Sequence, residues 1–171
     1  MGVAPRPAAA SGDDPNLIAD LKVAYLYNFT RFIEWPQSSL GARFDICLVG
    51  APDLAEAARA LERSDKAVEG RPCSIRQLGT SAVLDACRIL VIGEGAVGQL
   101  AELVDRSAGK PILVVGNAPG LAHRGAAIGF VLRPDILGEG QRLRFEINPS
   151  ALQGRGLKVS AQLYDVAEVI R

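Results

Sequence analysis

Gly93-Glu94-Gly95-Ala96-Val97-Gly98 spells G-x-G-x-x-G between an apolar run and a helix-forming stretch. The chemistry of that pattern is phosphate binding, because glycines let the backbone approach a pyrophosphate that faces the amides of a helix start. A dinucleotide site also needs a ribose-binding carboxylate about 20 residues further on. Here the next apolar run ends Val115-Gly116-Asn117 instead. The pattern therefore reads as a tight strand-to-helix turn, and a nucleotide-dependent enzyme using Gly93 to Gly98 is the distant alternative.

The single histidine is His123, in Gly120-Leu121-Ala122-His123-Arg124-Gly125. A general base needs a nucleophile and an orienting partner, and no G-x-S-x-G or H-E-x-x-H pattern supplies them. It reads as a solvated loop residue. Glu34, Asp45, Glu94, Glu146 and Asp165 are scattered carboxylates whose default place is the surface. Arg142, Arg144, Arg155 and Lys158 tint the C-terminal third basic and read as a solvated face. No catalytic residue and no cofactor is expected.

Cys47, Cys73 and Cys87 lack the C-x2-4-C spacing of zinc sites, and one histidine cannot complete them, so no metal is expected. Three cysteines allow one bridge with a free thiol left over, or three buried thiols. Before any resemblance is considered, buried thiols are the default.

The chain that must position these residues has 171 of them, 49% apolar, with 19 Lys plus Arg against 19 Asp plus Glu. That length fits one domain with a real core. A net charge near zero argues against broad nucleic-acid or anionic-membrane binding. No apolar run approaches the roughly 20 residues that span a bilayer, so no membrane insertion is expected. Residues 1–14, MGVAPRPAAASGDD, read as a disordered tail without the apolar stretch of a signal peptide.

Asp14-Pro15 is a helix start. Ile18, Leu21, Tyr25, Phe29 and Phe32 then recur at helical spacing and are expected to be buried, with Asp20, Tyr27, Arg31 and Glu34 opposite. Pro36 should end that helix near Trp35. Short apolar strands follow at Phe44 to Val49, Cys73 to Leu78, Arg88 to Ile92 and Pro111 to Val115. Helices are expected at Asp53 to Arg63 and Val97 to Arg106. Strands Ala127 to Leu132 and Arg142 to Ile147 flank a Gly138-Glu139-Gly140 turn, and Ser160 to Ile170 reads as a last helix with Leu163, Val166, Ala167 and Ile170 inward. The alternation predicts a single α/β domain over 15–171, a mostly parallel sheet with a C-terminal antiparallel hairpin and helices on both faces. The C-terminal strand ends form a crevice, which makes Gly50, Gly93, Gly95, Asn117 and His123 the candidate ligand residues of a small-ligand sensor.

Lys22-Val23-Ala24-Tyr25-Leu26-Tyr27-Asn28-Phe29-Thr30-Arg31-Phe32-Ile33-Glu34-Trp35-Pro36 closely resembles the KAAYLYNFAKFVEWP signature of the YfiR family of bacterial periplasmic proteins. The likeness continues collinearly. Ile46-Cys47-Leu48-Val49-Gly50 is similar to that family's first strand, Gly70-Arg71-Pro72 with Cys73 to Leu78 to its second, and Cys87-Arg88-Ile89-Leu90-Val91-Ile92 to its third. Phe145-Glu146-Ile147-Asn148 and Gly156-Leu157-Lys158-Val159-Ser160-Ala161-Gln162-Leu163 resemble its FEIN…GLKISSQLL ending, so the resemblance spans about residues 18–168.

The resemblance implies a non-enzymatic periplasmic regulator. Such a protein represses an inner-membrane diguanylate cyclase (YfiN-like) through its periplasmic sensor region, lowers cyclic di-GMP and disfavours biofilm growth. Release by an outer-membrane lipoprotein and a homodimeric state are implied in the same way. So is a Cys47–Cys87 disulfide, which suits an oxidising compartment and leaves Cys73 free. The second cysteine pair of prototype-like members has no counterpart after Cys87, and export itself rests on the resemblance. Tyr27 and Arg31 on the polar helix face, and Trp35 at its end, are the candidate partner anchors. For the two rings, packing against a neighbouring loop is the alternative.

Overall fold

The computed structural model describes residues 14–171. The expected tail lies outside them apart from Asp14. That residue caps the first helix, α1 (Pro15–Phe32), by accepting a hydrogen bond from the Asn16 amide, with proline at the first helical position.

α1 stops at Phe32, short of the expected Trp35, because the chain turns extended into β1 (Ile33–Glu34). The strands and helices after it are β2 (Phe44–Val49), α2 (Ala55–Arg63), β3 (Ala67–Val68), β4 (Arg71–Leu78), β5 (Ile89–Gly93), α3 (Leu100–Ser107) and β6 (Leu113–Asn117). The C-terminal part holds β7 (Ile128–Pro134), β8 (Gln141–Ile147), α4 (Pro149–Leu152), β9 (Lys158–Val159), α5 (Ala161–Val166) and β10 (Glu168–Val169). The eight-stranded sheet runs β10-β8-β7-β6-β5-β2-β4-β3, and β1 pairs separately with β9. From β4 to β7 every neighbour is parallel; β8 is antiparallel to β7, and β3 to β4. The mixed α/β domain with a mostly parallel sheet and a late hairpin is as expected.

Strand alternation builds two cores. Ile46, Leu48, Ile89, Val91, Leu113 and Val115 face one way, toward α1 and α2. Cys47, Val49, Leu90, Ile92 and Val114 face the other, toward Leu100 and Leu103 of α3. These strands are buried on both faces, which is why they read as unbroken apolar runs.

The buried stripe of α1 is Ile18, Ala19, Val23, Leu26 and Phe29, rotated from the expected one. Leu21 is 39% exposed, while Tyr25 and Phe32 only lean on the core. The rings dock the helix obliquely on the hairpin. Phe29 lies 5.1 Å from Phe145 and 6.2 Å from Phe130, and Tyr25 lies 5.6 Å from Phe145.

The last helix is also shorter than expected. α5 ends at Val166, which is exposed, because Glu168 and Val169 leave to pair in parallel with Glu146 and Ile147. Arg155, expected on a solvated face, is 5% exposed. Its guanidinium donates to the carbonyls of Ala151, Ser107 and Ile112 and to Ser107 Oγ, tying the C-terminal segment to the end of α3 and the residue before β6. A buried cation without a carboxylate is tolerable only with its donors satisfied in this way.

Candidate functional site

In the five-strand parallel core the strands lie side by side in the order β4-β2-β5-β6-β7, which places a switch point between β2 and β5. Doubly wound sheets bind ligands outside the strand ends at such a point. The loops after β2 and β5 meet there closely. The Gly95 amide donates to the Gly50 carbonyl at 2.9 Å. A Cβ on Gly93 would lie 2.7 Å from Ala51 Cα, and one on Gly50 2.5 Å from the Ala96 amide nitrogen. Gly50 also takes a positive φ of 65°, which favours glycine. Glycine 93 to 95 therefore serves backbone approach between two loops of the protein itself. The segment that follows, Glu94–Gln99, is a kinked 3-10 helix rather than a regular α-helical start. The reading of G-x-G-x-x-G as a tight turn thus has a physical reason.

Beside this contact the strand ends enclose a cavity of about 820 Å³. Of the crevice candidates, Gly50, Gly95 and Asn117 line it; Gly93 is buried, and His123 lies outside the lining. Its polar end holds Lys22 of α1, Asp53 after β2, Glu94 after β5 and Asn117 of β6; its apolar wall includes Phe130 and Leu132 of β7 and Leu143 of β8. Asn117 is 4% exposed and donates its Nδ2 to both Asp53 carboxylate oxygens, at 3.2 and 3.0 Å. Its Oδ1 is buried with no partner. Lys22 Nζ lies 5.9 Å from the Phe130 ring centroid. Burial pushes the Lys22 ammonium below its ordinary range, while the charges of Asp53 and Glu94 oppose that shift.

Sequence reasoning missed Lys22 and the Phe130–Leu143 wall. One signal was available for Lys22. It falls four residues after Ile18 and seven before Phe29, both expected to be buried, a place where lysine needs a reason.

On the far face, the sulfurs of Cys47 and Cys87 are joined in a disulfide across a sequence separation of 40. The three-buried-thiols default does not hold. Cys73 is free and buried against the first core, the opposite side of the sheet, and burial pushes its thiol up. It cannot exchange with the bridge while the sheet is intact. Among the described residues no group of three or more His, Cys, Asp or Glu could hold a metal ion, and no helix is long and apolar enough to cross a membrane.

Residues 19–168 match the family model described as YfiR/HmsC-like. The chain belongs to the YfiR/HmsC-like family. No curated protein matches it in a direct comparison. The YfiR family is regulatory rather than catalytic, and periplasmic.

In this YfiR-like chain the signature rings divide their duties. Trp35, a candidate anchor, is 4% exposed; its Nε1 donates to the Arg88 carbonyl at 3.0 Å and its ring stands edge-on to Phe44. The packing alternative applies to it, since the β1–β9 pairing carries the residue into the core. Tyr27 is half-buried and donates its hydroxyl to the Ala67 carbonyl at 3.0 Å. Arg31 is exposed, 6.0 Å from the Tyr27 ring, and Lys66 lies 5.2 Å from the same ring.

His123 sits in the 3-10 turn Leu121–Arg124, outside the cavity lining, with its side chain 57% exposed. Its Nε2 is 2.8 Å from Glu146 Oε2. Glu146 corrects the surface expectation, for it is 7% exposed and also lies 3.6 Å from Arg133. Arg133 in turn forks onto Glu168 through Nε and Nη2.

Proposed function

We propose that this chain is a periplasmic, non-catalytic repressor of a membrane-bound diguanylate cyclase, holding down cyclic di-GMP by binding the cyclase's periplasmic sensor region. The observation that carries this reading is the family match over residues 19–168. The Cys47–Cys87 disulfide supports it, since such bonds persist in oxidising compartments. Repression works by differential affinity: a protein that binds the cyclase's inactive state better shifts the population toward it.

Tyr27 and Arg31 are the partner-facing residues in this reading. Two cations over one tyrosine ring form a patch suited to a segment bearing carboxylates. A homodimer, and release by an outer-membrane lipoprotein, complete the same proposal.

The test is deletion of the gene followed by measurement of cyclic di-GMP. The level should rise, and exported protein should restore it while protein retained in the cytoplasm should not. An unchanged level would remove the proposal. Arg31→Glu, on an exposed residue, should weaken repression without altering thermal stability.

A further inference from the structure

The cavity at the strand ends is built from residues far apart in the chain, and its polar end is unbalanced. Asp53 and Glu94 bring two carboxylates against the single ammonium of Lys22. The charge of Arg133, also on the rim, is engaged by Glu168 and Glu146. Asn117 holds the Asp53 carboxylate in place through its amide nitrogen, which leaves its own Oδ1 buried and without a donor. Buried polar atoms are nearly always paired, so an orphaned acceptor beside two carboxylates marks a place short of hydrogen-bond donors. The wall of Phe130, Leu132 and Leu143 offers apolar surface, with Arg133 and Gln141 at its edge and Lys22 Nζ 5.9 Å from the Phe130 ring.

We propose that this cavity is a binding site for a small organic cation, a primary amine or amidinium carrying an aromatic or aliphatic body. Its head donates to Asp53, Glu94 and Asn117 Oδ1, and its body packs on the Phe130 wall. The volume of about 820 Å³ lies within the range of small-molecule pockets. Lys22 sets the limit on affinity, because it repels the cation, and its half-buried ammonium already sits with burial working against its charge. The site needs no partner protein. Failure to bind amines leaves the cyclase reading intact, and an unchanged cyclic di-GMP level leaves this one intact.

The experiment is calorimetric titration of the purified full chain with phenethylamine, beside phenethyl alcohol and 3-phenylpropionate as neutral and anionic matches. The amine should bind at least about tenfold more tightly than the alcohol, the worth of one charge-assisted hydrogen bond. Asp53→Asn and Glu94→Gln should each lower amine affinity about tenfold and leave alcohol binding unchanged. Lys22→Met should raise amine affinity, a sign that a merely structural lysine would not give. Equal binding of amine and alcohol, tighter binding of the carboxylate, or no amine binding at millimolar concentration would each overturn the proposal. Melting curves of every variant establish that it is folded.

Discussion

Cys47 lies within β2 and Cys87 just before β5, so their bond closes a loop across a sequence separation of 40 that contains α2, β3 and β4. In the chain-entropy account, closing a loop of that length removes about 4 kcal/mol of freedom from the unfolded chain. The native side should change little on reduction, because Ile46 to Val49 pair with Ile89 to Ile92 and both cysteines are packed in the second core. The loss therefore falls on the unfolded state, and the full figure should be recovered as lost stability. With a urea slope of about 2 kcal/mol/M, reduction should lower the unfolding midpoint by about 2 M. The assay is urea unfolding followed by the fluorescence of Trp35, comparing oxidised protein, protein in reductant and the Cys47→Ala/Cys87→Ala double variant. Cys73→Ala is the control, because Cys73 packs on the other face and its loss should preserve the oxidised-to-reduced difference. Midpoints that agree to within about 0.3 M would refute the entropic argument. A peptide map placing Cys73 in the bridge would refute the assignment itself.

Three further outcomes are expected. Gly93→Ala should destabilise by about 2 kcal/mol or more, since its Cβ would press on the Gly50–Ala51 backbone. Gly98→Ala meets nothing within 4 Å and should be neutral or stabilising; the reverse order by thermal unfolding would contradict the close approach of the two loops. Trp35→Phe should cost about 1 kcal/mol, the worth of its hydrogen bond to the Arg88 carbonyl. Trp35 emission should be blue-shifted and resistant to iodide, and ready quenching would contradict its burial. The hydrogen bond from Arg133 holds the Glu168 carboxyl below its ordinary value of 4.5. Its stabilisation is therefore present above that value and is lost as pH falls through the depressed one. With Glu168 32% exposed, solvent screening keeps the effect under about 1 kcal/mol. Glu168→Gln should be less stable than the parent at neutral pH and converge with it in acid; a difference independent of pH would contradict the pairing.

Local pattern and long-range pairing were not equally legible in the sequence. Phe44 to Val49 is a strand with the bounds that its apolar run implies, because burial on both faces leaves an unmistakable local signature. Ile33–Glu34 and Glu168–Val169 look helical in sequence because their strand partners, Lys158–Val159 and Glu146–Ile147, are distant along the chain. Counting rings also misplaced the α1 stripe. Tyr25 and Phe32 reach the core from its flanks, while Val23 and Leu26 point straight in. Asn117 was legible as a strand-end residue, but its bond to Asp53 spans 64 positions. The cavity's charge imbalance emerges only when the loops after β2 and β5 meet α1. The disulfide came from family likeness, since three cysteines by themselves permit several states.

This YfiR-like chain is proposed to restrain a membrane diguanylate cyclase from the periplasmic side. The most direct measurement is cyclic di-GMP synthesis by that cyclase in oriented membrane vesicles, with the purified oxidised chain added on the periplasmic face. Synthesis should fall in a saturable way as the chain is titrated, and fall less with Arg31→Glu. Synthesis that stays constant at saturating protein would contradict it.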